Sequence, residues 1–224
     1  MLWVTSDMTR GTITLILLMT TIPPLNSPWG VPAKLPPLGL AYIGGALEKA
    51  GFQVQILDNY QLRTTLDFVK QEVKKLNPEI VGITCGSVTY RRCVEMAKII
   101  KEVCPLCKVV IGGWHASYLP ETALENPEID YAVMGEGEKA MVDLATQITK
   151  GVDKSTIAQI PGVACKLDGK IVKTAPKINE DVDSIPYPAR HLLQMEIYDR
   201  KIGYLKAYPV DVMNIQRGCP YDCS

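Results

Sequence analysis

The sequence has 224 residues, a length that suits one large α/β domain or one domain with an appendage. Its 24 Lys and Arg residues balance 24 Asp and Glu residues, and this neutrality argues against a nucleic-acid-binding protein, which needs a basic face. Hydrophobic residues make up 47% of the chain and charged residues 21%, proportions that favour a buried core and exclude extended disorder.

The seven cysteines are irregularly spaced, which is typical of a reducing compartment and not of a secreted disulfide framework. The first apolar stretch, 13–19, is too short to span a bilayer. It is followed by Thr20-Thr21-Ile22-Pro23-Pro24 instead of the small residues of a signal-peptide cleavage site. We therefore expect a cytoplasmic protein without a membrane span, in which residues 1–11 form an N-terminal extension.

Apolar runs alternate with amphipathic stretches between residues 12 and 150, a pattern typical of βαβ units. The predicted strands are 12–20, 53–57, 79–84, 108–111 and 129–133. The predicted helices between and after them are 38–50, 64–76, 89–104, 120–124 and 138–149. This succession predicts an α/β domain with a flavodoxin-like (Rossmann-like), doubly wound parallel sheet of five strands in the order 2-1-3-4-5.

The pattern changes after residue 150. Stretches 162–167 and 170–174 flank Asp168-Gly169, a pair typical of a type I′ hairpin turn. We assign residues 12–150 to the first domain and 151–209 to a hairpin linker and connector. Residues 210–224 then begin a second domain, and 210–216 are predicted to form its first strand.

Ligands of open parallel sheets bind beyond the carboxyl ends of the strands. Glycine there lets a ligand approach the backbone closely, and helix N-termini offer free N–H groups. A single glycine can simply turn the chain, but four such loops on one edge favour a binding site. The four loops are Leu35-Pro36-Pro37-Leu38-Gly39, Cys85-Gly86-Ser87-Val88-Thr89, Gly112-Gly113-Trp114-His115-Ala116 and Gly135-Glu136-Gly137-Glu138.

For two residues of these loops the sequence leaves both a functional and a structural interpretation open. His115 either donates a hydrogen bond to a bound ligand or is an ordinary loop histidine. Glu138 either contacts the ligand or stabilises the helix dipole as a carboxylate in the first turn.

The strings PPLGLAYIGGALEKAGF, PEIVGIT, VVIGGWHA and DYAVMGEGE occur in this order along the chain. Together they resemble the cobalamin (B12)-binding domain at the N-terminus of many radical SAM enzymes. IPGVACKLDGKIV and DSIPYPAR resemble the segment that joins that domain to the radical SAM barrel.

The resemblance implies that cobalamin lies over the strand ends with its nucleotide tail directed toward the central strand. No histidine precedes residue 115, so the chain lacks the cobalt ligand of the Asp-x-His-x-x-Gly motif, as is common in the radical SAM branch. The implied cobalamin contacts are Pro37, Leu38, Gly39, Gly86, Ser87, Thr89, Gly112, Gly113, His115, Gly135, Glu136 and Gly137.

Cys219-x-x-x-Cys223 matches the first two ligands of the radical SAM motif C-x-x-x-C-x-x-C. In that family three thiolates hold a [4Fe–4S] cluster, and the open iron binds S-adenosyl-L-methionine (SAM). The third ligand would fall two residues beyond Ser224. The resemblance thus implies further partners, namely the rest of the radical SAM barrel and a reductant for the cluster.

These features predict the cobalamin-binding N-terminal portion of a B12-dependent radical SAM enzyme of the methyltransferase or cyclase type. The fragment would present cobalamin and would hold no catalytic residue itself. The alternative is a non-catalytic Rossmann-like module for docking or sensing that has lost cobalamin.

Overall fold

The computed structural model describes residues 35–177, 181–198 and 211–218, and it describes residues 15–20 as a strand by their backbone alone. Within these residues one sheet has seven strands, which are numbered in chain order and lie side by side as 2-1-3-4-5-6-7. Its first five strands are parallel, and the predicted order 2-1-3-4-5 is confirmed. They are β1 (Leu15–Thr20), β2 (Gln53–Leu57), β3 (Ile80–Thr84), β4 (Lys108–Gly112) and β5 (Tyr131–Val133).

The predicted hairpin is present as β6 (Val163–Leu167) and β7 (Lys170–Lys173). Its turn residues, Asp168 and Gly169, both have positive φ, as a type I′ turn requires. The hairpin is not a separate linker, however, because β6 pairs antiparallel with β5 and widens the predicted five-stranded sheet to seven strands. Pairing satisfies the backbone groups that β5 would otherwise leave unpaired at an edge.

The five predicted helices are all present, with ends within two residues of those expected. Three further short helices, Asn59–Leu62, Trp114–Tyr118 and Lys154–Ile157, were not predicted because a single turn shows no apolar periodicity. A 3-10 turn (Ser87–Thr89) precedes the helix that begins at Tyr90. The helices are α1 (Leu38–Lys49), α2 (Asn59–Leu62), α3 (Leu66–Leu76), α4 (Tyr90–Val103), α5 (Trp114–Tyr118), α6 (Pro120–Leu124), α7 (Gly137–Thr149) and α8 (Lys154–Ile157).

Helices cover both faces of the sheet, so its central strands are buried on both sides. Val81 and Ile83 of β3 pack on the face that holds α3 and α4. Ile80, their neighbour, packs on the opposite face with α1 and α7. The carboxyl ends of the parallel strands are the edge where these two layers leave room for a ligand.

The connector lies across α1. The backbone N–H of Ala189 donates to the carbonyl oxygen of Ala41 over 2.8 Å. A Cβ atom at Gly45 would lie 2.5 Å from the carbonyl oxygen of Tyr187, so glycine is needed for this close approach. The connector is therefore packed on the domain by its own backbone.

The predicted strand 210–216 is not formed where the structure describes it. Residues 211–217 have no regular secondary structure, and most of them are exposed. A strand is stabilised by hydrogen bonds to a neighbouring strand, and no described strand pairs with this stretch. Among the described residues, no helix has the length and apolar character that crossing a membrane requires.

Candidate functional site

A cavity of about 410 Å³ opens at the carboxyl edge of the sheet, between the strands and helices α1 and α7. Its volume lies in the lower part of the range of small-molecule sites. Polar groups stand at its rim, where Glu136, Glu138 and Arg217 contribute. Its walls are largely apolar and include Leu40, Ile43, Val110, Val133 and Met141. Such a cavity suits a flat apolar group that carries polar substituents toward the rim.

Two adjacent glycines at the end of β4, Gly112 and Gly113, differ in backbone conformation and in the space around them. Gly113 has φ 91° and ψ −170°, a conformation open essentially to glycine alone. A Cβ atom there would lie 2.8 Å from the carbonyl oxygen of Cys85. Gly112 has no such restriction, since the nearest atom to an added Cβ, the carbonyl oxygen of Val133, is 4.0 Å away. Gly113 shapes the edge, whereas Gly112 leaves space in the cavity.

The predicted contact residues divide into three groups. Gly86 and Thr89 line a neighbouring cleft of about 250 Å³, which also includes Pro37 and Asp58. Leu38, Ser87 and His115 are not among the residues that line these two cavities. The predicted contact residues that line the larger cavity are Pro37, Gly39, Gly112, Gly113, Gly135, Glu136 and Gly137.

His115 is enclosed by protein atoms. Its Nδ1 atom lies 3.3 Å from Ser87 Oγ, and its Nε2 atom lies 3.2 Å from Thr122 Oγ1. Its ring stacks on Tyr90 with 4.1 Å between the centroids, and the residue is only 6% exposed. Both ring nitrogens thus have partners inside the domain, which favours the interpretation of His115 as a packed histidine.

Burial lowers the pKa of His115 below its ordinary value of 6.5, so the folded chain disfavours the imidazolium. The unfolded chain takes up this proton at the ordinary pKa, so stability is expected to fall as the pH drops below 6.5. We expect His115→Gln to reduce this loss, measured by urea unfolding at pH 7.5 and pH 5.5. His191→Gln is the control, since His191 lies 67% exposed beside Glu48. Equal pH dependence in His115→Gln and the wild type would contradict the assignment.

Arg217 contributes a charged group to the rim of the cavity. One of its terminal nitrogens, Nη2, lies 2.5 Å from Glu138 Oε1, and the other, Nη1, lies 3.7 Å from Glu136 Oε1. The guanidinium carbon lies 4.9 Å from the ring centroid of Tyr42, within the range of a cation–π interaction. Sequence reasoning missed this residue, because 79 positions separate it from Glu138 and no local pattern links them.

Glu138 lies in the first turn of α7, where a carboxylate favours the helix dipole. It is also 9% exposed, so a charged partner offsets the cost of its burial. The structure thus gives Glu138 a dipole contact and an ion pair at the rim.

Cys219 and Cys223, the predicted cluster ligands, lie outside the described residues. Within the described part of the chain, no three His, Cys, Asp or Glu side chains are grouped so that they could hold a metal ion. The prediction of an iron–sulfur cluster is therefore based on the motif Cys219-x-x-x-Cys223.

Comparison with known proteins gives consistent matches. The model of the B12 binding domain family matches residues 31–145. The chain is 34% identical over 190 residues to PH0819, an uncharacterized methyltransferase of Pyrococcus horikoshii, a match that covers 84% of this chain and 39% of that protein. It is 36% identical over 199 residues to the anaerobic magnesium-protoporphyrin IX monomethyl ester cyclase of Cereibacter sphaeroides, covering 84% of this chain and 31% of that one.

Solved structures agree in fold. One match is the radical SAM methyltransferase TsrM of Kitasatospora setae, whose structure contains cobalamin and a [4Fe–4S] cluster. The TM-score is 0.61 at 27% sequence identity, and the match covers 73% of this chain and 31% of TsrM. The cobalamin-dependent radical SAM enzyme OxsB matches with a TM-score of 0.66 at 16% sequence identity. This match covers 80% of this chain and 25% of OxsB, and it shows only that the two proteins share a fold. The chain thus spans well under half the length of these relatives.

Proposed function

The chain belongs to the B12-binding domain family, and from this premise we propose that it is the cobalamin-binding N-terminal portion of a B12-dependent radical SAM enzyme. Relatives named as a methyltransferase and as a cyclase both match over 84% of the chain, so we keep both reaction types for the parent enzyme. The single observation that carries the proposal is the cavity at the carboxyl edge of the sheet, which lies where this family would hold its cofactor.

The cavity fits one part of cobalamin. Its volume of about 410 Å³ can hold a nucleotide-sized group, whereas the whole cofactor is too large for it. Leu40, Ile43 and Met141 offer apolar surface to a flat heteroaromatic base. We therefore propose that the nucleotide tail enters the cavity and the corrin ring lies over the rim.

The rim supplies polar groups to the corrin. Gly112, Gly113 and Gly135 carry no side chain, so their backbone groups can approach corrin amides and the tail phosphate. Glu136 and Arg217 add side-chain groups at the same rim. Bound cobalamin would supply a cobalt centre able to carry a methyl group, and this chain would bind and orient it. His115 faces Ser87 and Thr122, and we assign it no cobalt contact.

The proposed function also covers the cluster ligands, the cellular location and the domain division. Cys219 and Cys223 would be the first two ligands of a [4Fe–4S] cluster that binds SAM, and a further barrel and a reductant would complete the enzyme. We propose a cytoplasmic location because such a cluster needs a reducing compartment. We keep the proposed division into 1–11, 12–150, 151–209 and 210–224, in which the hairpin of 151–209 extends the sheet of 12–150.

Comparison of cobalamin with cobinamide, which lacks the nucleotide tail, tests how the cofactor is held. We expect hydroxocobalamin to bind at least about tenfold more tightly than diaquocobinamide, because only cobalamin can fill the apolar cavity. Spectrophotometric titration of the anaerobic chain gives both affinities. Equal affinities would contradict insertion of the tail, and failure of a folded chain to bind either corrin would favour the docking or sensing module.

A further inference from the structure

Residues 211–218, which we call the strap, are attached to the connector at their start and to the first domain at their end. At its start, Arg190 Nε lies 3.3 Å from Asp211 Oδ2, and a terminal nitrogen of Arg190 donates to the carbonyl oxygen of Val212. At its end, Arg217 pairs with Glu138 over 2.5 Å. Between these points Met213 and Ile215 are 74% and 88% exposed, so charge contacts hold the strap and apolar packing contributes little.

The pair at the end of the strap is well shielded from water. The side chain of Arg217 is 22% exposed, and that of Glu138 is 11% exposed. Ion pairs on open surfaces contribute little because water and salt screen them, whereas shielded pairs are weakened less. Breaking such a pair by removing one partner leaves the other charge uncompensated. The strap therefore has a specific fastening at Arg217.

The ion pair between Arg217 and Glu138, which fastens the strap, lies at the rim of the cavity. Arg217, Glu136 and Glu138 all line it, and Tyr42 of α1 lies under the guanidinium. We propose that Arg217 is a positioning residue, which holds the strap at the rim of the cobalamin cavity so that the chain enters its second domain from that point. The inference rests on the proposed function, because the cavity has this role only if cobalamin occupies it.

The position of Arg217 at the rim limits where the next residues of the chain can lie. Cys219 lies outside the described residues, but covalent geometry limits its Cα atom to about 7 Å from that of Arg217. The ion pair would thus fix where the predicted cluster ligands begin relative to the corrin. The same pair also leaves Glu138 neutralised next to the bound cofactor.

Trypsin cleavage of the Arg217–Gly218 bond in the whole chain tests the fastening. Trypsin must take the arginine side chain into its own pocket, so cleavage requires that the pair with Glu138 be broken. We expect Glu138→Gln to raise the cleavage rate about tenfold, measured relative to the exposed Lys150–Gly151 bond. Asp143→Asn is the matched control, because it removes a carboxylate charge on the same helix from an ion pair with Lys139 instead of Arg217.

Two further variants keep the test valid if Glu138→Gln unfolds. Arg217→Lys retains the trypsin site, but an ammonium cannot span both carboxylates as the guanidinium does, so cleavage should lie between the wild type and Glu138→Gln. Tyr42→Leu removes the cation–π contact and should raise cleavage about twofold to threefold. Rates for all of these variants equal to that of the wild type would overturn the inference.

Addition of hydroxocobalamin separates this inference from the proposed function. We expect saturating hydroxocobalamin to slow cleavage after Arg217 at least about fivefold and to leave cleavage after Lys150 unchanged, because the corrin covers the rim. Binding without this protection would overturn the placement of the strap while leaving the proposed function intact. Absence of binding, together with faster cleavage in Glu138→Gln, would reject the proposed function and support the fastening.

Discussion

Replacement of Gly112 by Leu is expected to weaken cobalamin binding at least about 100-fold while the fold is retained. Gly112 lines the cavity, and its backbone conformation suits any residue. The nearest atom to an added Cβ is 4.0 Å away, so a larger side chain has room to enter the open volume. A leucine there would occupy the space that we assign to the nucleotide tail, and the tail cannot overlap with it.

Gly112→Ala provides the size control for this prediction. A single methyl group at ordinary contact distance leaves most of the cavity open, so its effect on hydroxocobalamin affinity should be under about tenfold. Affinities come from spectrophotometric titration, and thermal unfolding confirms that each variant is folded. If Gly112→Leu bound hydroxocobalamin as tightly as the wild type, the tail would not lie in this cavity.

Replacement of Gly113 by Ala is expected to destabilise the domain by about 3 kcal/mol or more. The conformation at Gly113, φ 91° and ψ −170°, is costly for any residue with a Cβ atom. The added methyl carbon would also lie 2.8 Å from the carbonyl oxygen of Cys85, a backbone atom that cannot move aside freely. That carbonyl accepts the N–H of His115 over 3.2 Å, so a shift would break the link between the β3 and β4 edges.

Gly39→Ala is the matched control on the same edge. It lies in the first turn of α1, and a Cβ atom there meets nothing within 4 Å, so its stability should equal or slightly exceed that of the wild type. The free energy of unfolding of each variant comes from urea denaturation. A loss at Gly113 no larger than that at Gly39 would contradict the account of this edge.

The alternation of apolar runs and amphipathic stretches predicted the strands and helices, and the order of the parallel strands followed from the doubly wound fold that this alternation indicates. The turn at Asp168-Gly169 could be predicted because both residues tolerate positive φ. The partner of the hairpin could not, since pairing of Tyr131 with Cys165 joins positions distant in the chain. The ion pair between Arg217 and Glu138 could not be predicted either, because it joins two segments that are distant in the sequence and share no local pattern.

The candidate site was only partly predictable. The sequence indicates glycine-rich loops at the carboxyl edge, and seven of the predicted contact residues line the larger cavity. It does not distinguish Gly112 from Gly113, because their difference lies in backbone conformation and in the distance to Cys85 and Val133. Nor could it show that Ser87 and Thr122 enclose His115, since these partners come from separate loops.

The amount of hydroxocobalamin that stays with the wild-type chain tests the central claim most directly. The chain is incubated anaerobically with excess hydroxocobalamin, passed through gel filtration, and assayed for corrin by its absorption spectrum. We predict close to one molecule of cobalamin per chain in the folded peak. A folded, monodisperse chain that retains no corrin would contradict the claim that this domain binds cobalamin.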